Sequence, residues 1–454
     1  MQCYRDTMEE RHRLLLMKQN PWWKNQQVTL PAFERDLLQE ITQYLPYKQI
    51  LAIVGLRRVG KTIMMKQLIH KIQEPPQNIC YISFDDIDFQ EYRIAEDLIN
   101  YFLEYSEKNK RRYLFLDEIQ KLPHWADLMK TYYDNEENLK IILSGSASLE
   151  VKKGKETLAG RILSFHLPVV SFSEYVRYFK KDHTVSTDNL FREYDLKFAE
   201  KKETYQTLWN EYLIKGAFPE LFDTTLTEKE YIQKYIKESV IEKSIADIAR
   251  ITKEDEKLIY ELFRLLANSN ARLFEIINLA NILKINRNRL SRCISLLEKL
   301  FLISIAYNYT ASVAKQVRSN KKQYAAHSSL VIAILDYPFE VLTTELAGHL
   351  VEGVIATTIK SAVFWRTPQK DEVDIITKER VPIEVKYQSQ ITNNDIRSLL
   401  KFCKKFQRNK GIILTKNLME KRTVETVEIY CLPAWFYSLF QTSLDTPREP
   451  ISDL

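Results

Sequence analysis

The sequence predicts an α/β chain with four parts. An N-terminal parallel sheet covered by helices leads into a charged helical stretch, a helix-turn-helix with a following strand, and a second α/β domain. Three observations predict this. Apolar runs at Ile50–Val54, Ile79–Phe84, Tyr113–Leu116 and Ile141–Leu143 alternate with segments of helical period, the pattern of a parallel sheet covered on both faces. The first run passes directly into Gly55-Leu-Arg-Arg-Val-Gly60-Lys61-Thr62, a G-x-x-x-x-G-K-T string. Near the other end, Glu372–Thr377 and Val381–Lys386 flank the three residues Lys378-Glu-Arg380 and read as a β-hairpin.

The glycine-framed turn carries the sharpest chemistry. The chain has only nine glycines in 454 residues, about 2% against a usual ~7%, yet two stand at the spacing a phosphate loop requires. A strand opening into a helix through Gly55, Arg57, Arg58, Val59, Gly60, Lys61, Thr62 and Ile63 presents backbone N–H groups and the positive end of a helix dipole to an anion. The expected ligand is a nucleoside triphosphate, ATP, with Mg²⁺. Lys61 would neutralise β- and γ-phosphate charge, and the Thr62 hydroxyl would ligate the ion. The run Tyr113–Leu116 ends in Asp117-Glu118, and Ile141–Leu143 ends in Ser144-Gly-Ser146. In a parallel sheet these strand ends gather where ligands bind. Asp117 is expected to hold the same Mg²⁺, Glu118 to orient or deprotonate the attacking water, and Ser144 to sense the γ-phosphate. Arg161, in Leu158-Ala-Gly-Arg-Ile, is either the transition-state cation, in the same or a neighbouring subunit, or a plain surface arginine.

Gly-Leu-Arg-Arg-Val-Gly-Lys-Thr, Leu-Phe-Leu-Asp-Glu-Ile-Gln, Leu-Ser-Gly-Ser-Ala-Ser and Leu-Ala-Gly-Arg-Ile together resemble a family of prokaryotic AAA-type ATPases. The signature continues into Pro168-Val-Val-Ser-Phe-Ser-Glu-Tyr175, and Asn20-Pro-Trp-Trp23 also fits members of the group. The two tryptophans are expected chiefly as an aromatic plug for the core.

From about 170 to 265 the chain is charged, aromatic and helical in period, and reads as a lid or connector without catalytic spacing. Leu273–Leu283, the turn Lys284-Ile-Asn and Arg287–Leu300 form two short helices, followed by the strand-like Phe301–Tyr307. This order resembles a winged helix-turn-helix. Arg287, Arg289 and Arg292 open its second helix, where DNA contacts belong; the alternative is a packing brace.

In the C-terminal hairpin, residue 377 faces 381 and so Asp374 lies opposite Glu384, while Glu384 and Lys386 share a face. Two adjacent carboxylates call for a cation between them. Glu352, beside the apolar stripe Val351, Val354 and Ile355, is a candidate third ligand. The constellation resembles the restriction-endonuclease-like superfamily, in which an Asp and a Glu-x-Lys on adjacent strands bind Mg²⁺ and cut phosphodiesters; the ATPase family commonly carries such a domain. On that resemblance Glu352, Asp374 and Glu384 are the metal ligands, and Glu384 and Lys386 the catalytic pair. The segment Tyr324–Leu330 departs from relatives that show an aspartate and a glycine there.

The expected fold class is thus a P-loop NTPase parallel sheet with a helical lid, a winged helix-turn-helix and a C-terminal α/β restriction-endonuclease-like domain. The boundaries are an N-terminal segment 1–30, the ATPase core 31–170, the lid 171–255, the winged helix 256–310 and the nuclease-like domain 311–454. Net charge is only +6, but between Ile396 and Arg422 nine basic residues accompany the single acid Glu420. That stretch is either a phosphate-contacting surface or a solvated helix face. Five scattered cysteines without a C-x-x-C pair read as reduced thiols. No apolar run reaches the ~18 residues of a membrane span, and no signal sequence is read at the N-terminus. The expectation is a cytoplasmic ATPase, with DNA as partner, no membrane contact and a possible homo-oligomer, whose nucleotide state controls a DNA-directed, Mg²⁺-dependent nuclease-like domain. The alternatives are a nucleotide-dependent switch or scaffold with an inactive nuclease-like domain and a DNA-stimulated AAA-type loader.

Overall fold

The computed structural model describes residues 10–145, 158–180, 190–310, 320–359 and 363–440. The chain divides into two compact units, Met1–Pro168 and Val169–Leu454.

The first unit is built on five parallel strands in the order β2-β3-β4-β1-β5, with β1 Ile50–Val54, β2 Ile79–Ser83, β3 Arg112–Asp117, β4 Leu139–Gly145 and β5 Ile162–His166. Strands β1, β3 and β4 are buried along their whole length, which explains their unbroken apolar runs: a strand covered on both faces needs no alternation. Helices α1 Glu10–Gln19, α2 Leu37–Gln43, α3 Lys61–Lys71, α4 Tyr92–Tyr105 and α5 Trp125–Asn135 complete the unit. In α4, Ala95, Leu98, Ile99 and Phe102 recur at helical spacing and are buried. Lys140 is fully buried on β4, and its ammonium donates to the carbonyls of Tyr44, Tyr47 and Gln49 at 3.0, 2.7 and 2.6 Å. It thereby ties the turn after α2 to the sheet.

The Asn20-Pro-Trp-Trp segment covers an edge strand instead of plugging the core. Buried Asn20 donates to Tyr81 O at 2.8 Å and accepts from Tyr81 N at 2.7 Å. Both indole N–H groups donate to Ile79 O, at 2.9 and 2.8 Å. Since β2 lies at the edge of the sheet, these bonds satisfy backbone groups that would otherwise stand open.

The second unit begins with the helix Phe172–Phe179, opened by a capping box in which Ser171 Oγ accepts from Glu174 N and Glu174 Oε2 accepts from Ser171 N. The serine-phenylalanine signature therefore has a local physical reason. Phe172 packs edge-on against Trp209, and Tyr205 stacks on Trp435 at 5.5 Å between centroids. Segment 171–255, expected as a lid, thus shares an aromatic core with residues near 435.

Next come the helix Glu256–Asn268, β6 Leu273–Phe274, the helices Ile276–Leu283 and Arg287–Lys299, β7 Ile303–Asn308 and β8 Lys321–Ala325. Strand β8 lies antiparallel between β6 and β7. Strand β7 also pairs in parallel with β9 Val363–Arg366, and β9 pairs with β10 Glu372–Val373. The boundary expected at 310/311 therefore falls inside one sheet, ordered β10-β9-β7-β8-β6. A further mixed sheet runs β11-β12-β13-β15-β14, with β11 Ile375–Ile376, β12 Pro382–Val385, β13 Lys410–Thr415, β14 Glu420–Val424 and β15 Val427–Pro433. The helix Arg397–Phe406 buries Leu399, Phe402 and Cys403. Cys80, Cys293, Cys403 and Cys431 are buried and free. Among the described residues no helix is long and apolar enough to cross a membrane.

Candidate functional site

The phosphate loop joins the carboxyl end of β1 to α3, and both of its glycines are required. A Cβ on Gly55 would lie 2.4 Å from Leu167 O, and Gly60 sits at φ +99°, a backbone region that L side chains rarely adopt. Arg35 braces the loop by donating to Val59 O at 2.7 Å and Pro168 O at 2.9 Å. Buried Lys61 lies back across the loop and donates to Gly55 O at 3.1 Å and Leu56 O at 2.9 Å. Burial lowers its pKa, against the pull of Glu118 and Asp117.

Parallel pairing of β1, β4 and β3 brings the three motif ends together. Thr62 Oγ1 donates to Asp117 Oδ2 at 2.8 Å, across 55 residues of sequence. Tyr81 O–H donates to the same oxygen at 2.7 Å, and Ser144 Oγ donates to Asp117 Oδ1. Glu118 takes a left-handed conformation, φ +53°, with its N–H donating to Ser144 Oγ at 3.3 Å and its Oε2 accepting from Gln120 at 2.5 Å. A non-glycine residue held in that region marks a site whose surroundings over-determine the backbone. Thr62 and Asp117 line a cleft of about 420 Å³ together with Lys18, Lys66 and His70. A hydroxyl and a carboxylate so close supply the hard oxygen donors that suit Mg²⁺; Thr62 and Asp117 would hold it, and the ion would neutralise phosphate charge. Ser144 is fully buried and its hydroxyl donates to the Asp117 carboxylate and accepts from the Glu118 backbone N–H, so it fixes that carboxylate and the backbone of the next residue. Ser146 lies outside the described residues.

Arg161 stands elsewhere. Ile50 pairs with Ile162 and Ile50 N donates to Arg161 O, which places Arg161 at the amino ends of the strands. The loop starts after Val54, four residues on, or roughly 13 Å along the strand. The guanidinium is held by Asp134 at 2.9 and 3.2 Å. The expectation that Arg161 acts on a phosphate of its own subunit is therefore corrected: it lies at the wrong end of the sheet.

In the second unit the hairpin has the expected register. Ile375 pairs with Ile383, Ile376 with Pro382, and Thr377 N donates to Val381 O, so Asp374 lies opposite Glu384. Lys386 reaches back to Glu384 Oε1 at 2.8 Å. What the sequence left unread is Lys322 on β8. Its ammonium, 2% exposed, lies 2.9 Å from Glu352 Oε1, 2.5 Å from Glu372 Oε1 and 3.2 Å from Asp374 Oδ1. Tyr324, two residues on and on the same face, donates to Glu352 Oε1 at 3.0 Å. Asp374 Oδ2 accepts from Val385 N at 2.9 Å. Burial and then the Asp374 charge push Glu352 up to about 8, against the pull of Lys322. Burial, again followed by Asp374, raises Glu384 well above the carboxylate range and so toward its protonated form, while its Oε2 is buried without a hydrogen-bond partner. Burial works against the charge of Lys322, but Glu352 and Asp374 outweigh it and its pKa is raised.

Of the expected metal set, Glu352 and Asp374 are therefore gathered around the Lys322 ammonium, while Glu384 is held by Lys386. Among the described residues no group of three or more His, Cys, Asp or Glu side chains is arranged to hold a metal ion, and this donor set does not fit Mg²⁺. The reason is positional: Lys322 occupies the place between the carboxylates.

Residues 47–176 match the AAA domain family. The first unit carries an AAA-type P-loop ATPase domain. Downstream of this ATPase domain, residues 206–340 and 346–435 match two domains of unknown function, DUF8612 and DUF4143. The chain is similar along most of its length to two uncharacterized proteins of Methanocaldococcus jannaschii. One is 26% identical over 85% of each chain; the other is 27% identical over 86% of this chain and 88% of its own. An uncharacterized Haemophilus influenzae protein is 24% identical over 65% of this chain and 71% of its own. Among solved structures, the Aeropyrum pernix ORC1 protein in complex with DNA covers 70% of this chain and 95% of its own, at 13% identity and TM-score 0.29. C. elegans PCH-2 covers 43% and 62%, at 14% identity and TM-score 0.31.

Outside the ATPase domain, the arginines expected to touch DNA are partly engaged. Asn286 caps their helix by accepting from Arg289 N at 2.8 Å, while Glu254 takes Arg289 at 3.1 Å and Arg292 at 3.9 Å. Arg287 is exposed. Of the basic cluster, Lys401 pairs with Asp371, Lys421 with Glu428 and Arg422 with Glu420. Arg397, Lys401, Lys404 and Arg408 line one groove. His327 caps the helix Ser328–Ile334 by accepting from Ser329 N at 3.1 Å. A neutral imidazole thus performs the capping task for which aspartate is a usual choice.

Proposed function

We propose that this protein is an ATP-binding and ATP-hydrolysing switch whose nucleotide state controls a DNA-directed second unit of nuclease-like design. The observation that carries the reading is the Thr62–Asp117 bond, which unites the phosphate loop and the strand-end acid at the carboxyl edge of a parallel sheet. Among the described residues of 256–325, the helix–strand–helix–helix–strand–strand order, with β8 between β6 and β7, supports a winged helix-turn-helix. The groove on the helix Arg397–Phe406 supports contact with a phosphate backbone, since Arg397, Lys401, Lys404 and Arg408 follow one another at spacings of four, three and four residues.

DNA binding is measured by fluorescence anisotropy across a salt series. Neutralising Arg397, Lys404 and Arg408 together should weaken binding regardless of sequence. It should also reduce the slope of log K against log salt by roughly one unit per contact removed. An unchanged slope would remove the groove from the interface. Charge removal at Arg287 tests the helix-turn-helix in the same way.

The hairpin register of Asp374, Glu384 and Lys386 supports a nuclease-like design, and the place of Lys322 favours a domain that does not cut. The purified chain is expected to leave linear and circular DNA intact with Mg²⁺ or Mn²⁺, with or without ATP. Cleavage that disappears on Asp374→Ala would restore a metal-dependent nuclease.

A further inference from the structure

The structure assigns Lys322 as the resident cation of the C-terminal carboxylate cluster, a built-in ammonium that ties three elements together and keeps divalent metal out. The inference rests on the nuclease-like reading of the second unit and deepens it.

The geometry is that of a crosslink. Lys322 comes from β8, Glu352 from the helix Leu346–Thr358, and Glu372 and Asp374 from the first arm of the hairpin. These elements are far apart in sequence, and the ammonium reaches all of them within 3.2 Å. A bound metal ion would join the same carboxylates, but Lys322 does so covalently attached to the sheet. Its neighbours hold it there. Tyr324 fills the adjacent position on the same face and donates to the same Glu352 oxygen, and the Phe364 ring lies 5.6 Å from the ammonium.

The carboxylates already have cations of the chain beside them. Glu352, Glu372, Asp374 and Glu384 face Lys322, Lys386 and Arg366. A divalent ion placed among them would add two positive charges beside a buried ammonium, unless Lys322 left. Leaving is costly, because a side chain enclosed to 2% exposure would carry its charge into apolar surroundings or force the sheet apart. Lys322 also takes one oxygen each from Asp374 and Glu352, and Val385 N–H and the Tyr324 hydroxyl hold the same two carboxylates, while Glu384 Oε2 has no partner.

The test counts Mn²⁺ bound to the full chain, without nucleotide, by electron paramagnetic resonance. Wild type is expected to hold no Mn²⁺ whose release follows Asp374→Asn. Lys322→Ala, stripped of its ammonium, is expected to melt at a lower temperature than wild type, to gain one Mn²⁺ per chain, and to recover melting temperature as Mn²⁺ is added. The double variant Lys322→Ala/Asp374→Asn should lose that ion. A wild-type Mn²⁺ that Asp374→Asn removes overturns the assignment, as does a folded Lys322→Ala that stays metal-free. Should Lys322→Ala not fold, the wild-type count alone decides. A loss of ATP turnover or DNA binding would touch the switch reading and leave this result standing, so the two fail separately.

Discussion

Glu118→Gln is expected to slow ATP hydrolysis by about 10²–10⁴-fold while leaving ATP binding nearly intact, the range general-base catalysis contributes. The division of labour at the strand end is the reason. Both Asp117 oxygens are engaged, one by Thr62 and Tyr81 and the other by Ser144, so Asp117 is fixed in place beside the loop. Glu118 is turned away by its left-handed backbone and held by Gln120, which leaves it as the carboxylate that can take a proton from water. Lys61→Ala should behave differently and lose binding and hydrolysis together, because the ammonium clasped by Gly55 and Leu56 carbonyls lies where phosphate charge would need it. Phosphate release and affinity for a fluorescent ATP analogue, measured on both variants, distinguish these outcomes. Wild-type turnover in Glu118→Gln would give the role of base to another group.

Acid should destabilise the second unit through His327. Its imidazole is buried, packs edge-on against Tyr212, and caps a helix by accepting at Nδ1 from the backbone and side chain of Ser329. Burial lowers its pKa from 6.5 to about 3. The folded state therefore refuses a proton that the unfolded chain accepts, and stability held above pH 6.5 is lost as pH falls toward 3. The loss approaches ~1.4 kcal/mol per pH unit and totals about 5 kcal/mol at the acid end. His327→Asn keeps a capping acceptor and does not titrate, so its urea midpoint should fall less steeply over that window. Parallel midpoint-against-pH curves for the two proteins would exclude His327 as the source.

How far the sequence could be read follows from which interactions are local. Gly55–Thr62 and the uninterrupted apolar strands each depend on neighbours in sequence, so spacing and residue type suffice to find them. The hairpin register around Asp374 and Glu384 was legible for the same reason: a three-residue loop and a two-residue period determine what lies opposite what. The strand pairing that set Arg161 at the amino edge was not. Nothing in Leu-Ala-Gly-Arg-Ile says at which end of a sheet it will lie, because that depends on β5 choosing β1 as its neighbour.

Lys322 is the clearest case. Lys321-Lys322-Gln323-Tyr324 reads as a polar, solvent-facing strand, and its one usable signal was the shared face of Lys322 and Tyr324. Alone, the sequence determined that a phosphate loop opens a helix after a buried strand and that an Asp-Glu pair ends another apolar run, because the backbone conformation and charge these steps need are encoded residue by residue. Only the tertiary structure decided that a lysine from β8 would stand among carboxylates from a helix and a hairpin far along the chain. Burial is what makes that choice matter: an ammonium and its carboxylates removed from water are stable only in one another's company, and which of them meet is settled by how the elements pack.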